Sequence, residues 1–238
     1  MMAAVGAIEV AADGPALHIP DGFVSTPVAL AGWVVTGIIV GLAARRAGRE
    51  LDDRAVPLMG VMAAFIFAAQ MMNFPVAGGT SGHMLGGALA AVLLGPSAAV
   101  IVMTAVVGLQ AFLFQDGGIG ALGVNVLNMG ILTAFTGYAA FRVATAAGGR
   151  SRAVVLGAMF VAAWVSVEVA AIATSLQLAV SDTSPLSVAL PAMVGVHALV
   201  GIGEGLISAA ALGFVLSTRP DLASRTVAAP STMPVAGD

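Results

Sequence analysis

Long apolar runs separated by short polar breaks dominate the chain from residue 24 to residue 216. Seven runs stand out: Val24 to Ala44, Ala55 to Met72, His83 to Leu94, Ser97 to Phe114, Leu122 to Ala146, Ala153 to Ala179 and Val188 to Leu216. Most are of helix-spanning length, well beyond the alternating segments of about ten residues that build a barrel. A span needs about 20 residues, with about 17 as a lower limit. The third run therefore has to start inside the bilayer or lie under a sunken loop. Gly95-Pro96 predicts a tight turn between the third and fourth runs. The expected fold is an all-α membrane protein of seven transmembrane helices, one short, in a single domain over residues 18–218.

Composition agrees with this pattern. Apolar residues make up 59% of the chain, charged residues 9%, and the mean hydropathy is +1.03; a soluble domain carries about 25% charged residues. There is no Cys, which excludes disulfides and thiolate ligands and leaves His, Asp, Glu, Asn or backbone groups to hold a metal. There is no Lys either, which excludes a Walker A phosphate loop. Work driven by ATP would need hydrolysis on another chain.

The basic residues are nine arginines. Arg45, Arg46, Arg49 and Arg54 follow the first run, Arg142, Arg150 and Arg152 flank the break after the fifth, and Arg219 and Arg225 follow the seventh. Seven spans bring all three groups to one face. The loops around Asn73 to Gly82, Gln115 to Gly120 and Ser181 to Pro185 lie opposite and carry no basic residue. The positive-inside rule then puts the N-terminus outside a prokaryotic cell membrane and the polar tail, residues 219–238, in the cytoplasm. Residues 1–17 are mildly acidic through Glu9 and Asp13, lack the basic start of a signal peptide, and are expected to form a poorly ordered tail.

The stretch Asn73 to Gly87, Asn-Phe-Pro-Val-Ala-Gly-Gly-Thr-Ser-Gly-His-Met-Leu-Gly-Gly, lies between two apolar runs. Irregular backbone at membrane depth is tolerated only where protein or a cavity surrounds it. His83 in this stretch is a candidate ligand, since a neutral imidazole binds nickel, cobalt, copper and zinc. The alternative is an interfacial His satisfied by water. His18, before Ile-Pro-Asp-Gly, reads alone as a loop residue. His197 is early in the seventh run, so all three histidines of the chain fall in its outer half.

Glu168 and Glu204 lie near the middle of the sixth and seventh runs, with no Arg at that depth to pair with. A charged carboxylate there costs about 2.5 kcal/mol or more. Glu204 sits seven residues after His197, on the same helical face. The pair reads either as a polar cluster that supports or gates a site, or as interhelical hydrogen bonding. Asn73, Thr80, Ser81, Asn125 and Asn128 add outer-side polar groups, which either orient metal ligands or satisfy loop backbone. Gly37 and Gly41 form a Gly-xxx-Gly pair near Gly32 that permits close helix approach, within the chain or against another subunit. The twelve methionines read as gap-filling core. Neither a His-Glu-x-x-His nor a Gly-x-Ser-x-Gly motif occurs.

Six motifs in order carry a resemblance: His-Ile-Pro-Asp-Gly-Phe at 18–23, Asn-Phe-Pro-Val-Ala-Gly-Gly-Thr-Ser-Gly-His at 73–83, Leu-Leu-Gly-Pro at 93–96, Gln-Ala-Phe-Leu-Phe-Gln-Asp-Gly-Gly at 110–118, Leu-Gly-Val-Asn-Val-Leu-Asn-Met-Gly at 122–130 and His-Ala-Leu-Val-Gly-Ile-Gly-Glu-Gly at 197–205. Together they resemble the CbiM/NikM family, the substrate-capturing S components of cobalt and nickel energy-coupling factor transporters. The resemblance implies seven helices with the N-terminal segment folded into an outer-side cavity. It implies a metal held by the N-terminal amine, by the backbone nitrogen and imidazole of a His at position two, and by a His of the Gly-rich loop. Carried over, the side-chain ligands are His18 and His83, and Asp21 helps hold the turn. Amine, amide and imidazole form fused chelate rings in one plane, and a fourth nitrogen completes a square that suits nickel(II) and copper(II). The cargo is Ni(2+) or Co(2+), with a slight preference for nickel; no catalytic cofactor and no nucleic acid is implied. The implied partners are a CbiQ/NikQ-like transmembrane T component, CbiO/NikO-like ATPase subunits, a small CbiN/NikN-like membrane subunit and the lipid bilayer.

The sequence departs from that pattern where it matters, because His18 is not residue two. We expect the native chain to start at position 17, with Leu17 encoded by UUG or CUG and read as Met, or to be cleaved just before Leu17. Two other classes of function remain open at this point. One is an intramembrane enzyme using Glu204, His197 and Glu168. The other is a self-contained secondary transporter, although such proteins often show paired halves and no convincing internal repeat is visible.

Overall fold

The structure is a computed structural model, and it describes residues 18–51, 55–72, 74–75 and 81–219. Seven helices are found among them: α1 Thr26–Glu50, α2 Ala55–Gln70, α3 Gly87–Leu94, α4 Pro96–Leu113, α5 Leu122–Gly148, α6 Arg152–Val180 and α7 Leu186–Thr218. Helix α5 is continuous but contains a π-helical stretch, Leu127–Leu132. Five of the seven, α1 and α4 to α7, are long and apolar enough to cross a membrane. The chain is a multi-pass membrane protein.

Helices α2 and α3 differ from expectation. The second run ends as helix at Gln70 rather than Met72, leaving 16 residues. The third run is helical only from Gly87, because Gly86 adopts φ +86° and breaks the backbone there. At 1.5 Å per residue α3 is only about 12 Å long, and Gly87 through Leu93 are all buried. It is a half-helix wrapped by the bundle. Gly95, at φ +87°, and Pro96 make the expected turn into α4. A two-residue antiparallel pairing of Phe74–Pro75 with Ser81–Gly82 precedes α3.

Small residues set the helix contacts. Helices α6 and α7 form the most extensive pair, with Gly201 against the Trp164 ring and Gly205 against Phe160. Gly137 of α5 lets Ala88 of α3 lie directly on the helix backbone. Helix α1 meets α5 where Gly32 faces Val124 and Gly123 faces the Trp33 backbone, and Thr36 Oγ1 donates to Gly123 O at 2.7 Å. The opposite face of α1 is lipid-like: Leu30, Val34, Ile38 and Leu42 are about 60% exposed at i, i+4 spacing. Gly37 and Gly41 lie on that open side, with no atom of the described residues near their missing Cβ positions. Packing within the chain, the marginally preferred reading, is therefore corrected for this pair.

Candidate metal centre

The segment His18 to Phe23 is held by the α4–α5 loop and the start of α5. Ile19 N donates to Asn125 Oδ1, and Asn125 Nδ2 donates back to Ile19 O, each at 3.0 Å. The side-chain amide thus pairs with the backbone as a neighbouring strand would. Gly118 N also donates to Ile19 O at 3.0 Å. Asp21 Oδ1 accepts Ala121 N at 3.0 Å, holding the turn as expected. Gly117, at φ +92°, and Gly118 are the surfaces that His18 and Asp21 rest on; a Cβ at either would collide with them. At the far end Thr183 Oγ1 donates to Phe23 O, tying the segment to the α6–α7 loop.

The second strand of the site is His83 to Gly86, and it is fixed by backbone bonds. Gln70 Nε2 at the end of α2 donates to Leu85 O at 2.7 Å. Leu85 N and Gly86 N donate to the two oxygens of Glu204 at 2.6 and 2.8 Å. Glu204 is fully buried. It serves as a carboxylate cap for the N-terminal end of α3, where orphan N–H groups and the helix dipole favour negative charge. Glu204 thus joins α7 to the strand that carries His83. Glu168 is also buried, and its Oε1 has no hydrogen-bond partner; it does not line the cavity.

His18 and His83 meet edge to face, with ring centroids 5.6 Å apart and planes at 68°. Both are buried. His18 Nδ1 bonds to Asp116 O at 3.1 Å, and His83 Nδ1 bonds to Met84 O at 2.8 Å. A carbonyl only accepts, so each Nδ1 carries a proton, and in a neutral ring the lone pair is then on Nε2. Among the described residues His18 Nε2 is buried with no hydrogen-bond partner, a rare and costly state that calls for an explanation. Burial pushes the His18 imidazole down to about 4, opposed by Asp116 and reinforced by His83. The neutral, ligating form is therefore the resident one at neutral pH. With metal–nitrogen bonds of about 2 Å, two imidazoles on one ion have centroids roughly 4–6 Å apart, a range that includes the observed separation.

Both rings open into a cavity of about 340 Å³ that is also lined by Asn125, Asn128, Thr174, Met193 and His197. His197 Nδ1 bonds to Met193 O at 2.7 Å, so it too presents Nε2. Asn128 departs from expectation: its partners are side chains. It exchanges two bonds with Gln177, at 2.6 and 2.8 Å, and donates to Thr174 Oγ1 at 3.1 Å. The π-helical stretch begins just after Asn125 and includes Asn128 and Met129, a common feature of functional sites. Among the described residues no three His, Asp or Glu side chains gather closely enough to hold an ion by themselves. Asn73 and Thr80 lie outside the described residues, as does Leu17; Ser81 is described only through its backbone pairing. Gln70 and Gln177 were missed by sequence reasoning, although each is a lone amide in an apolar run.

A family model described as CbiM, cobalt uptake substrate-specific transmembrane region, matches residues 18–222. The chain belongs to this family. A putative metal transport protein of Haloquadratum walsbyi is 43% identical over 208 residues, 87% of this chain and 93% of its own. The fused nickel transport protein NikMN of Rhodobacter capsulatus is 33% identical over 233 residues, 90% of this chain and 66% of its own. A solved structure of a truncated transition metal transporter superposes with a TM-score of 0.76 at 32% identity, covering 84% of this chain and 98% of that one. The CbiM match starts at His18, the first residue of the site.

Proposed function

We propose that this CbiM-family protein is the substrate-capturing membrane component of an energy-coupling factor transporter that imports nickel or cobalt. The observation that carries the reading is the convergence of two buried imidazoles, His18 and His83, on one cavity with ring centroids 5.6 Å apart. The cavity they share opens to the outside, with the N-terminus of the protein outside and its C-terminus in the cytoplasm. Arginine placement supports this orientation. The segment from His18 to Phe23 forms the inserted wall of that outer cavity. The mature chain begins at position 17, so that its terminal amine, the His18 amide nitrogen and His18 Nδ1, exchanged from Asp116 O to the metal, form fused chelate rings, and His83 supplies the fourth nitrogen.

Transport needs partners: a T component and ATPase subunits to move the ion inward, and a small N subunit. The fused nickel relative, of which this chain spans only 66%, supports the last of these. Commitment of both Glu204 oxygens to backbone amides weighs against the enzyme reading, which needed that carboxylate for proton chemistry.

Nickel titration of the purified chain tests the reading. His83→Ala is expected to abolish tight binding while the protein remains folded. Unchanged affinity in that variant would remove the proposed site.

A further inference from the structure

The cavity is larger than one clasped ion requires. Water occupies about 30 Å³ per molecule in the liquid, so about 340 Å³ accommodates more than one ion's coordination shell. His18 lines it from the segment tied to the start of α5 and to the α6–α7 loop. His197 lies eleven residues along α7 from Leu186, about 16 Å down the helix axis at 1.5 Å per residue. Directly around it on α7 are Val196 and Val200, which with Leu85, Val167 and Ala170 form a separate apolar cluster. Leu85, Ala170, Val196 and Val200 of this apolar plug line the cavity together with His197.

His197 is prepared for ligation in the same way as the two outer histidines. Its Nδ1 is committed to Met193 O, so the lone pair is on Nε2. It lines the same cavity as His18 and His83. Yet the three imidazoles do not gather on one point among the described residues, so His197 does not complete the outer set. His197 has its Nδ1 partner and lines a cavity of about 340 Å³.

We propose that His197 is a second, weaker station for the divalent cation, taken up in turn after the His18–His83 pair and completed by water. The proposal rests on the metal-capture reading given above and adds a step to it: hand-over across the cavity from the His18–His83 pair to His197. His83, in ring contact with His18, lines the cavity with His197 as well. The capped strand that carries it, His83 to Gly86, also supplies Leu85 to the plug, so movement of the plug and release of the outer ligand are mechanically joined.

Cobalt(II) titration of the purified protein carrying its native N-terminus, followed by visible absorption, separates the two ideas. His83→Ala is expected to keep a residual cobalt site at least about tenfold weaker than the parent's, and His83→Ala/His197→Ala to lose it. His197→Ala alone is expected to retain the tight site and, in the complete transporter, to slow cobalt uptake at saturating ion. If the single and double variants titrate identically, or if His83→Ala shows no residual binding, the second station is wrong while the capture reading stands. Parent-like affinity in His83→Ala overturns the capture reading and the station with it. Thermal unfolding of each variant confirms that binding changes are not loss of fold.

Discussion

Glu204, near the middle of α7, accepts the backbone N–H of Gly86 at 2.8 Å, and so joins the longest helix of the bundle to the strand that carries His83. The bond is fully buried, and its sister from Leu85 is shorter still. Losing an acceptor for a buried N–H costs about 1–3 kcal/mol. Glu204→Gln keeps one carbonyl oxygen but turns an NH₂ toward the other N–H. We expect a lower unfolding temperature and weaker metal binding together, because the same strand positions the ligand. Unchanged stability in Glu204→Gln would contradict the capping role.

The pairing of Asn125 with Ile19 predicts a different outcome. Asn125→Ala removes both the acceptor of Ile19 N and a donor to Ile19 O. The helices lose little, since the amide bonds only the inserted segment. Metal affinity is expected to fall at least tenfold, about 1.4 kcal/mol, with the unfolding temperature nearly unchanged. A matched titration and thermal melt decide it.

Two glycines give a steric contrast. A Cβ at Gly118 would occupy the place of Asp21, so Gly118→Ala is expected to expel the segment from His18 to Phe23 and abolish tight binding. Gly37→Ala places its Cβ in open space and is expected to leave metal binding of the isolated chain unchanged. Equal behaviour of the two variants would show that the segment is not seated as described.

Much of this was legible before the structure. The seven apolar runs became seven helices because each is apolar enough to leave water, and Gly95-Pro96 marked its turn because those residues tolerate or impose the backbone there. His83 was visible as an imidazole after a glycine-rich stretch. The role of Glu204 was not, because its partners are the backbone amides of Leu85 and Gly86, which leave no trace in residue identity. The start of α3 was misplaced for a related reason: His83 to Leu85 is as apolar as a helix, but capping by Glu204 and the left-handed Gly86 end the helix at Gly87. The π-helical stretch has no compositional signature, so the exchange between Asn128 and Gln177 could not be anticipated from a one-turn spacing.

Acid should act on His18. Its folded value, about 4, lies below the ordinary 6.5 because burial disfavours the charged ring. The unfolded or undocked segment therefore binds more protons between those two values, and seating of the segment weakens as pH falls from 6.5 toward 4. Above 6.5 the contribution is constant. The metal-free protein is expected to be less stable at pH 5 than at pH 7, and His18→Ala to lose most of that difference. Parallel acid sensitivity in parent and variant would place the titrating group elsewhere.

The central claim is that one divalent cation is shared by the rings of His18 and His83. X-ray absorption of nickel bound to the protein with its native N-terminus tests this most directly. We predict an inner shell of nitrogen with the outer-shell scattering of two imidazoles, reduced to one in His83→Ala under nickel excess. A shell dominated by oxygen, or an imidazole count that His83→Ala does not change, would contradict it.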